Sequence, residues 1–78
     1  MSAEVRTKRP SNVNGPPTKR QLETLQLLAD GLSTEEVAAR LFVSVETVKT
    51  HIADIRAKLG AVNRAHAVAL GLRAGLVS

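Results

Sequence analysis

The sequence predicts an all-α fold of four helices, with the second and third joined by a tight turn. Three observations carry this expectation. Apolar residues recur at helical spacing, most clearly Val48, Ile52, Ile55 and Leu59 at i, i+4, i+7 and i+11. Residues suited to capping a helix start, Thr18, Ser33, Ser44 and Asn63, stand just before such stretches, and Gly31, Gly60 and Gly75 stand just after them. No stretch alternates apolar and polar residues in the manner of a strand.

The first helix opens at Thr18, whose hydroxyl pairs with Gln21 three residues on as a capping box, and Pro17 stops any earlier helix. It is expected to run to Asp30 with Leu25, Leu28 and Ala29 inward, Leu22 and Leu27 at its margins, and Gly31 closing it. Ser33-Thr34-Glu35-Glu36 opens the second helix with another capping box, its carboxylates in the first turn, where the helix dipole favours them. Val37, Ala38 and Leu41 form its inner face. Leu41-Phe42-Val43 makes a short turn without the glycine often found there, and Ser44 caps a third helix over residues 45–59 that ends at Gly60. Two short helices so joined have the form of a helix-turn-helix. Asn63 caps the fourth helix, Arg64–Ala74. One of its faces carries Ala67, Val68, Gly71 and Leu72, and the opposite face carries His66, Ala69, Leu70 and Arg73. Gly75-Leu76-Val77 follows, with Leu76 expected to fold back on the core.

The totals bound the rest. The chain has 78 residues, enough for one small domain. Phe42 is its only aromatic residue, so Leu, Val, Ile and Ala must fill a modest core. There is no Cys, which excludes disulfides and thiolate metal sites and suits a reducing compartment. No apolar run is long enough to span a bilayer and no signal-peptide core is present, so a cytoplasmic location and no membrane partner are expected. With only two His and no Gly-rich phosphate loop, the residues argue against an enzyme, and no cofactor or metal is expected. Residues 1–17 collect Ser11, Asn12, Asn14, Gly15, Pro16 and Pro17 and are too poor in apolar groups to offset ordering, so this tail is expected to be disordered. The net charge of +4 is mild, so placement rather than total must identify a partner.

Placement points to duplex DNA. Away from its apolar stripe the third helix carries Glu46, Lys49, Thr50, Ala53 and Arg56, mostly short side chains on a rod thin enough for a major groove. Lys49 can donate to guanine O6 and N7 or to a phosphate, against the plain reading of a solvated surface Lys. Thr50 and Ala53 offer methyl groups to thymine, although Ala53 also serves simply as a helix former. Glu46 can accept from cytosine N4 or merely favour the helix N-terminus. Thr47 and His51 flank this face and suit phosphate oxygens, which set register without reading sequence. Arg56 and Lys58 add backbone charge, the N–H groups near Ser33 and Thr34 can hold a phosphate, and Arg64 can do the same or pair with a carboxylate. Lys8 and Arg9 make the tail either a loose arm on DNA or a plain solvated linker. On the fourth helix, small Ala69 and larger Leu70 form an outward apolar patch suited to a two-fold contact, flanked by His66 and Arg73. The patch is small, so a dimer without DNA is expected to be weak.

Residues 18–77 resemble the DNA-binding domain of LuxR-type (GerE-like) bacterial transcription regulators. The resemblance is carried by LLADGLSTEEVAARLFVS, by TVKTHIADIRAKLG, by Asn63-Arg64 with Ala67, and by Gly75-Leu76-Val77. It implies a four-helix domain whose second and third helices form the helix-turn-helix and whose fourth mediates dimers on inverted repeats. It also implies that base and backbone contacts fall mostly in TVKTH, at Thr47, Lys49, Thr50 and His51. The chain departs from the family pattern at Gln21, usually acidic, at Thr24, usually branched and apolar, at Leu22, usually polar, and at Ala53, which is basic in some relatives. Most relatives carry a receiver or ligand-sensing domain, so this chain is expected to be a stand-alone regulator or an excised output domain. RNA polymerase is a further expected partner. Two other readings stand beside this one: a promoter-reading module like region four of sigma factors, and a protein-interaction module that kept the fold.

Overall fold

The computed structural model describes residues 15–78, so the tail expected to be disordered lies outside the described residues except for Gly15, Pro16 and Pro17, and Lys8 and Arg9 lie outside them altogether. Four helices follow in order: α1 (Lys19–Ala29), α2 (Thr34–Leu41), α3 (Val45–Leu59) and α4 (Arg64–Arg73). Among the described residues there is no strand, and no helix is long and apolar enough to cross a membrane. Thr18–Gln21 and Ser33–Glu36 form complete capping boxes, while Ser44 and Asn63 cap α3 and α4 through Thr47 N–H and His66 N–H.

The third helix runs through both halves of the core. Ile55 joins Leu25, Ala67 and Val77 in one buried cluster, and Val48 joins Leu28, Val37 and Ala38 in the other. Ile52 and Leu59 complete the seam from its margins, and Val68 of α4 touches both clusters. Burying a residue such as Ile55 contributes about 1.5–3 kcal/mol, so the seam orients α3 while leaving its opposite face clear.

Tertiary packing revises three details. Gln21 and Thr24 are buried with the core. The Thr24 hydroxyl donates to the Arg20 carbonyl at 3.0 Å, and that internal bond lets a polar residue fill the branched apolar position. On α4, Leu72 does not join the inner face. Ala67 and Gly71 are buried, but Leu72 is 49% exposed, because one residue past Gly71 the helix has turned it away from α1 and α3. At the end of α4, Val77 rather than Leu76 enters the core. Gly75 takes φ 75°, Leu76 N–H bonds to the Gly71 carbonyl at 2.8 Å, and this reversal points the following residue inward. The Gln26 side-chain amide then clamps Ser78 through both backbone groups, at 3.0 and 3.1 Å.

The helix-turn-helix turn solves its missing glycine in an expensive way. Phe42 itself adopts the left-handed conformation, φ 59° and ψ 43°. Its N–H and that of Val43 close onto the carbonyls of Ala39 and Ala38, as a glycine would arrange at a helix end. A left-handed residue with a side chain costs about 1–2 kcal/mol, and the ring, 93% exposed, recovers none of it by burial. Phe42→Gly is therefore expected to raise unfolding stability by about 1 kcal/mol in urea titrations, whereas a loss of stability would show that the ring packs in solution.

Candidate nucleic-acid interface

Opposite the buried seam, α3 presents Glu46, Lys49, Thr50 and Ala53, all exposed. Exposed Ala57 continues this ridge one turn further, a short side chain that the sequence reading passed over. Among the described residues the Lys49 ammonium and Thr50 hydroxyl have no hydrogen-bond or ion-pair partner, so both are unspent. A ridge of short side chains with one unpaired cation in its second turn can approach base edges closely.

Flanking groups are more constrained. Thr47 shares a hydrogen bond of 3.0 Å with the Ser44 hydroxyl. His51 is half-buried, and its pKa lies below the ordinary 6.5, first because burial disfavours the charged ring and then because of nearby Arg20, with Asp54 opposing. Near neutral pH the ring is thus an N–H donor rather than a charge. The same arrangement places Arg20 of α1 beside this edge of α3, where it also pairs with Glu23 at 3.4 Å. Its sequence position, two residues into α1, offered no hint of that.

The His51 shift has a stability consequence. A folded pKa below the unfolded one means that the unfolded chain takes up the proton first, so this contribution is complete above about pH 6.5 and declines as pH falls through that value. Melting curves between pH 7.5 and 5.5 are expected to show an acid decline that His51→Gln makes shallower. An equally steep decline in the variant would remove His51 as a cause.

Several of the groups expected on the DNA backbone are committed to the domain itself. Lys58 Nζ donates to Gln21 Oε1 at 2.7 Å and to the Pro16 carbonyl at 3.0 Å, tying the end of α3 to the start of α1. Arg56 donates to the Val62 carbonyl at 3.1 Å, and its Nε is buried without a partner among the described residues. Lys58 thus turns onto the start of α1 and Arg56 onto the loop after α3. Ser33 is likewise occupied, its hydroxyl by Glu36 N–H and its own N–H by the Glu36 carboxylate. Arg64 reaches across from α4 to donate to Thr34 Oγ1 at 2.8 Å, which brings these two residues together at the start of α2. Among the described residues no group of three or more His, Asp or Glu is placed to hold a metal ion.

Residues 17–70 match the family of bacterial regulatory proteins called the luxR family. The chain belongs to that family. It is 50% identical over 62 residues to the uncharacterized transcriptional regulatory protein YxjL of Bacillus subtilis, covering 80% of this chain and 28% of that protein. It is 43% identical over 58 residues to the spore germination protein GerE of the same species, covering 74% of this chain and 78% of GerE. The solved structure of the transcription factor GerE superposes with a TM-score of 0.75 at 38% identity, covering 78% of this chain and 91% of that one. The response regulator ChrA of a heme-sensing two-component system gives 0.77 at 41% identity, covering 81% of this chain and 31% of ChrA. The chain thus spans less than a third of YxjL and of ChrA, and most of GerE. The luxR-family assignment agrees with the four helices and the helix-turn-helix of α2 and α3.

The outward side of α4 differs from the sequence reading. His66 Nδ1 accepts from Val62 N–H at 3.0 Å, so this ring braces its own loop, and Ala69 and Leu70 are half-buried. Val62, 72% exposed, and Leu72 are the large apolar groups that face outward. On α4, Ala65, Ala69 and Leu72 share one face at i, i+4 and i+7, with Ala69 half-buried, while Val62 stands exposed in the loop before the helix.

Proposed function

We propose that this luxR-family domain binds duplex DNA in a sequence-dependent way as the DNA-reading part of a transcription regulator, with α3 in the major groove. The observation that carries the reading is the division of α3: its apolar seam packs on the core, Val48 and Ile55 buried and Ile52 and Leu59 partly so, while Lys49 and Thr50 stand unpartnered among the described residues on an exposed ridge of short side chains. Lys49, Thr50, Ala53 and Glu46 are assigned to base edges. Thr47, His51, Thr34 and Arg64 are assigned to the backbone, with Arg20 added from its position beside His51. Ser33, Arg56 and Lys58 are better accounted for as internal braces.

Two copies would bind an inverted repeat through α4, with Val62, Ala69 and Leu72 as the apolar contact and Arg73 at its rim. The contact is narrow, so pairing is completed on DNA, with half-sites about one duplex turn, roughly 34 Å, apart. Selection from a random duplex pool tests symmetry and spacing together. Lys49→Ala is expected to cost about 1–3 kcal/mol of affinity by fluorescence anisotropy, with relaxed preference at one base step if Lys49 reads a base. Unchanged affinity across selected and unselected duplexes would remove Lys49, and with it this reading of α3.

A further inference from the structure

The helix-turn-helix turn carries a feature that DNA reading does not use. Each of the four helices is followed within two residues by a left-handed residue, and three of these are glycines, Gly31, Gly60 and Gly75. The fourth is Phe42, the chain's only aromatic residue, strained and almost wholly in solvent. A strained backbone bearing an exposed aromatic group weakens the fold at that point and asks for a role outside it.

The surroundings indicate what would meet it. Phe42 stands between two open depressions. One is a groove of about 440 Å³ between α1 and the end of α2, floored by half-buried Leu27 and Leu41, with Arg40 on its rim and the Arg20–Glu23 pair toward its far end. Arg40 borders both depressions, is exposed, and has no ion-pair or hydrogen-bond partner among the described residues. Glu36, on the rim of the second depression, has its carboxylate engaged by Ser33 N–H. None of Lys49, Thr50 and Ala53 lines either depression, so the patch is separate from the base-reading ridge, and it meets the backbone contacts only at Arg20 in the groove's lining.

We propose that Phe42, Leu27, Leu41 and Arg40 form a docking surface for a protein segment that presents an apolar anchor flanked by carboxylates. The anchor would pack on the Phe42 ring and the two leucines, and a carboxylate would take the unpaired Arg40 guanidinium in a charge-assisted pair. A phosphate backbone satisfies Arg40 but offers nothing to the ring or to Leu27 and Leu41. A second copy placed two-fold on this patch brings its Arg40 toward the first. An acidic, apolar-anchored protein segment satisfies the ring, the two leucines and Arg40 together, while Glu23 and Glu36 are already engaged by Arg20 and Ser33. The surface would let the domain hold another protein while α3 holds DNA.

The test is selection from a random-peptide display library on the full chain, with enriched peptides then measured by fluorescence anisotropy. Enriched sequences are expected to combine Leu, Phe or Trp with neighbouring Asp or Glu. Their affinity is expected to fall about tenfold in Phe42→Gly, and to fall measurably in Arg40→Gln, as for an anchor and its charged neighbour. Duplex affinity of Phe42→Gly is expected to stay at the wild-type level. Phe42→Asn, which also tolerates the left-handed backbone, repeats the comparison should the glycine variant fold poorly. Peptides that bind wild type and both Phe42 variants equally would overturn the proposal. So would enrichment of Lys- and Arg-rich peptides. A matching tenfold loss of duplex affinity in Phe42→Gly would assign the ring to DNA instead, and loss of self-association in sedimentation would assign the patch to a second copy. Failure of wild-type duplex binding would count against the DNA reading alone and leave this comparison intact.

Discussion

Raising monovalent salt fourfold is expected to weaken duplex binding about a thousandfold if the domain binds as a pair. Each cation that neutralises a phosphate releases a condensed counterion, so affinity falls as roughly the 0.9 power of salt per contact. Counting every cation suggested by sequence leads to about eight contacts per dimer and a loss near ten-thousand-fold. The structure trims that number. Lys58 and Arg56 are spent on Gln21 and on the loop after α3, and His51 is held toward its neutral form. Lys49, Arg64 and Arg20 are the exposed cations of this set, Arg64 holding only neutral oxygens of Thr34 and Leu32 and Arg20 only a surface pair with Glu23 that a phosphate can replace, which makes about six per pair. A single copy would show only a few tens of fold over the same range, so one anisotropy titration at two salt concentrations reads both mechanism and stoichiometry. Affinity indifferent to salt would sink the DNA assignment.

Truncating the centre of the seam is expected to have the largest effect on folding. Ile55→Ala removes three buried carbons from the cluster of Leu25, Ala67 and Val77, and such changes cost about 2–5 kcal/mol. At roughly 0.05–0.15 kcal/mol per residue, a domain of this length holds only about 4–12 kcal/mol in total, so the variant loses a large share of it. Urea unfolding followed by helical circular dichroism is expected to show a midpoint well below wild type. Lys49→Ala, on the exposed ridge of the same helix, is expected to leave the unfolding free energy within about 0.5 kcal/mol of wild type. Comparable losses in both variants would mean that the division of α3 into an inner seam and an outer ridge is wrong.

The helices were legible because their signals are local. A hydroxyl three residues ahead of Gln21 or Glu36 closes a capping box using only its own turn, and both boxes form. The period of Val48, Ile52, Ile55 and Leu59 is a property of one helix, and the face it marks is the one that packs. The groove-facing ridge followed by subtraction, since whatever is not on the seam of a two-sided helix faces out.

What periodicity does not contain is how far each face is covered by other helices. Thr24 and Gln21 are polar by type, yet both are buried, with the Thr24 hydroxyl bonded to the Arg20 carbonyl and the Gln21 side-chain oxygen to Thr18 N–H and Lys58. The direction of Lys58 and Arg56 was equally hidden, because a long side chain goes to whichever acceptor the fold brings within reach. Sequence alone determined four helices, their caps and the outward ridge of α3, since each depends on neighbours within a turn or two. Only the tertiary structure decided that Val77 rather than Leu76 is buried, that Leu72 and Val62 face out, and that Phe42 bears the strained turn. Those outcomes depend on which surfaces long-range packing leaves uncovered and on where the chain must reverse to allow it.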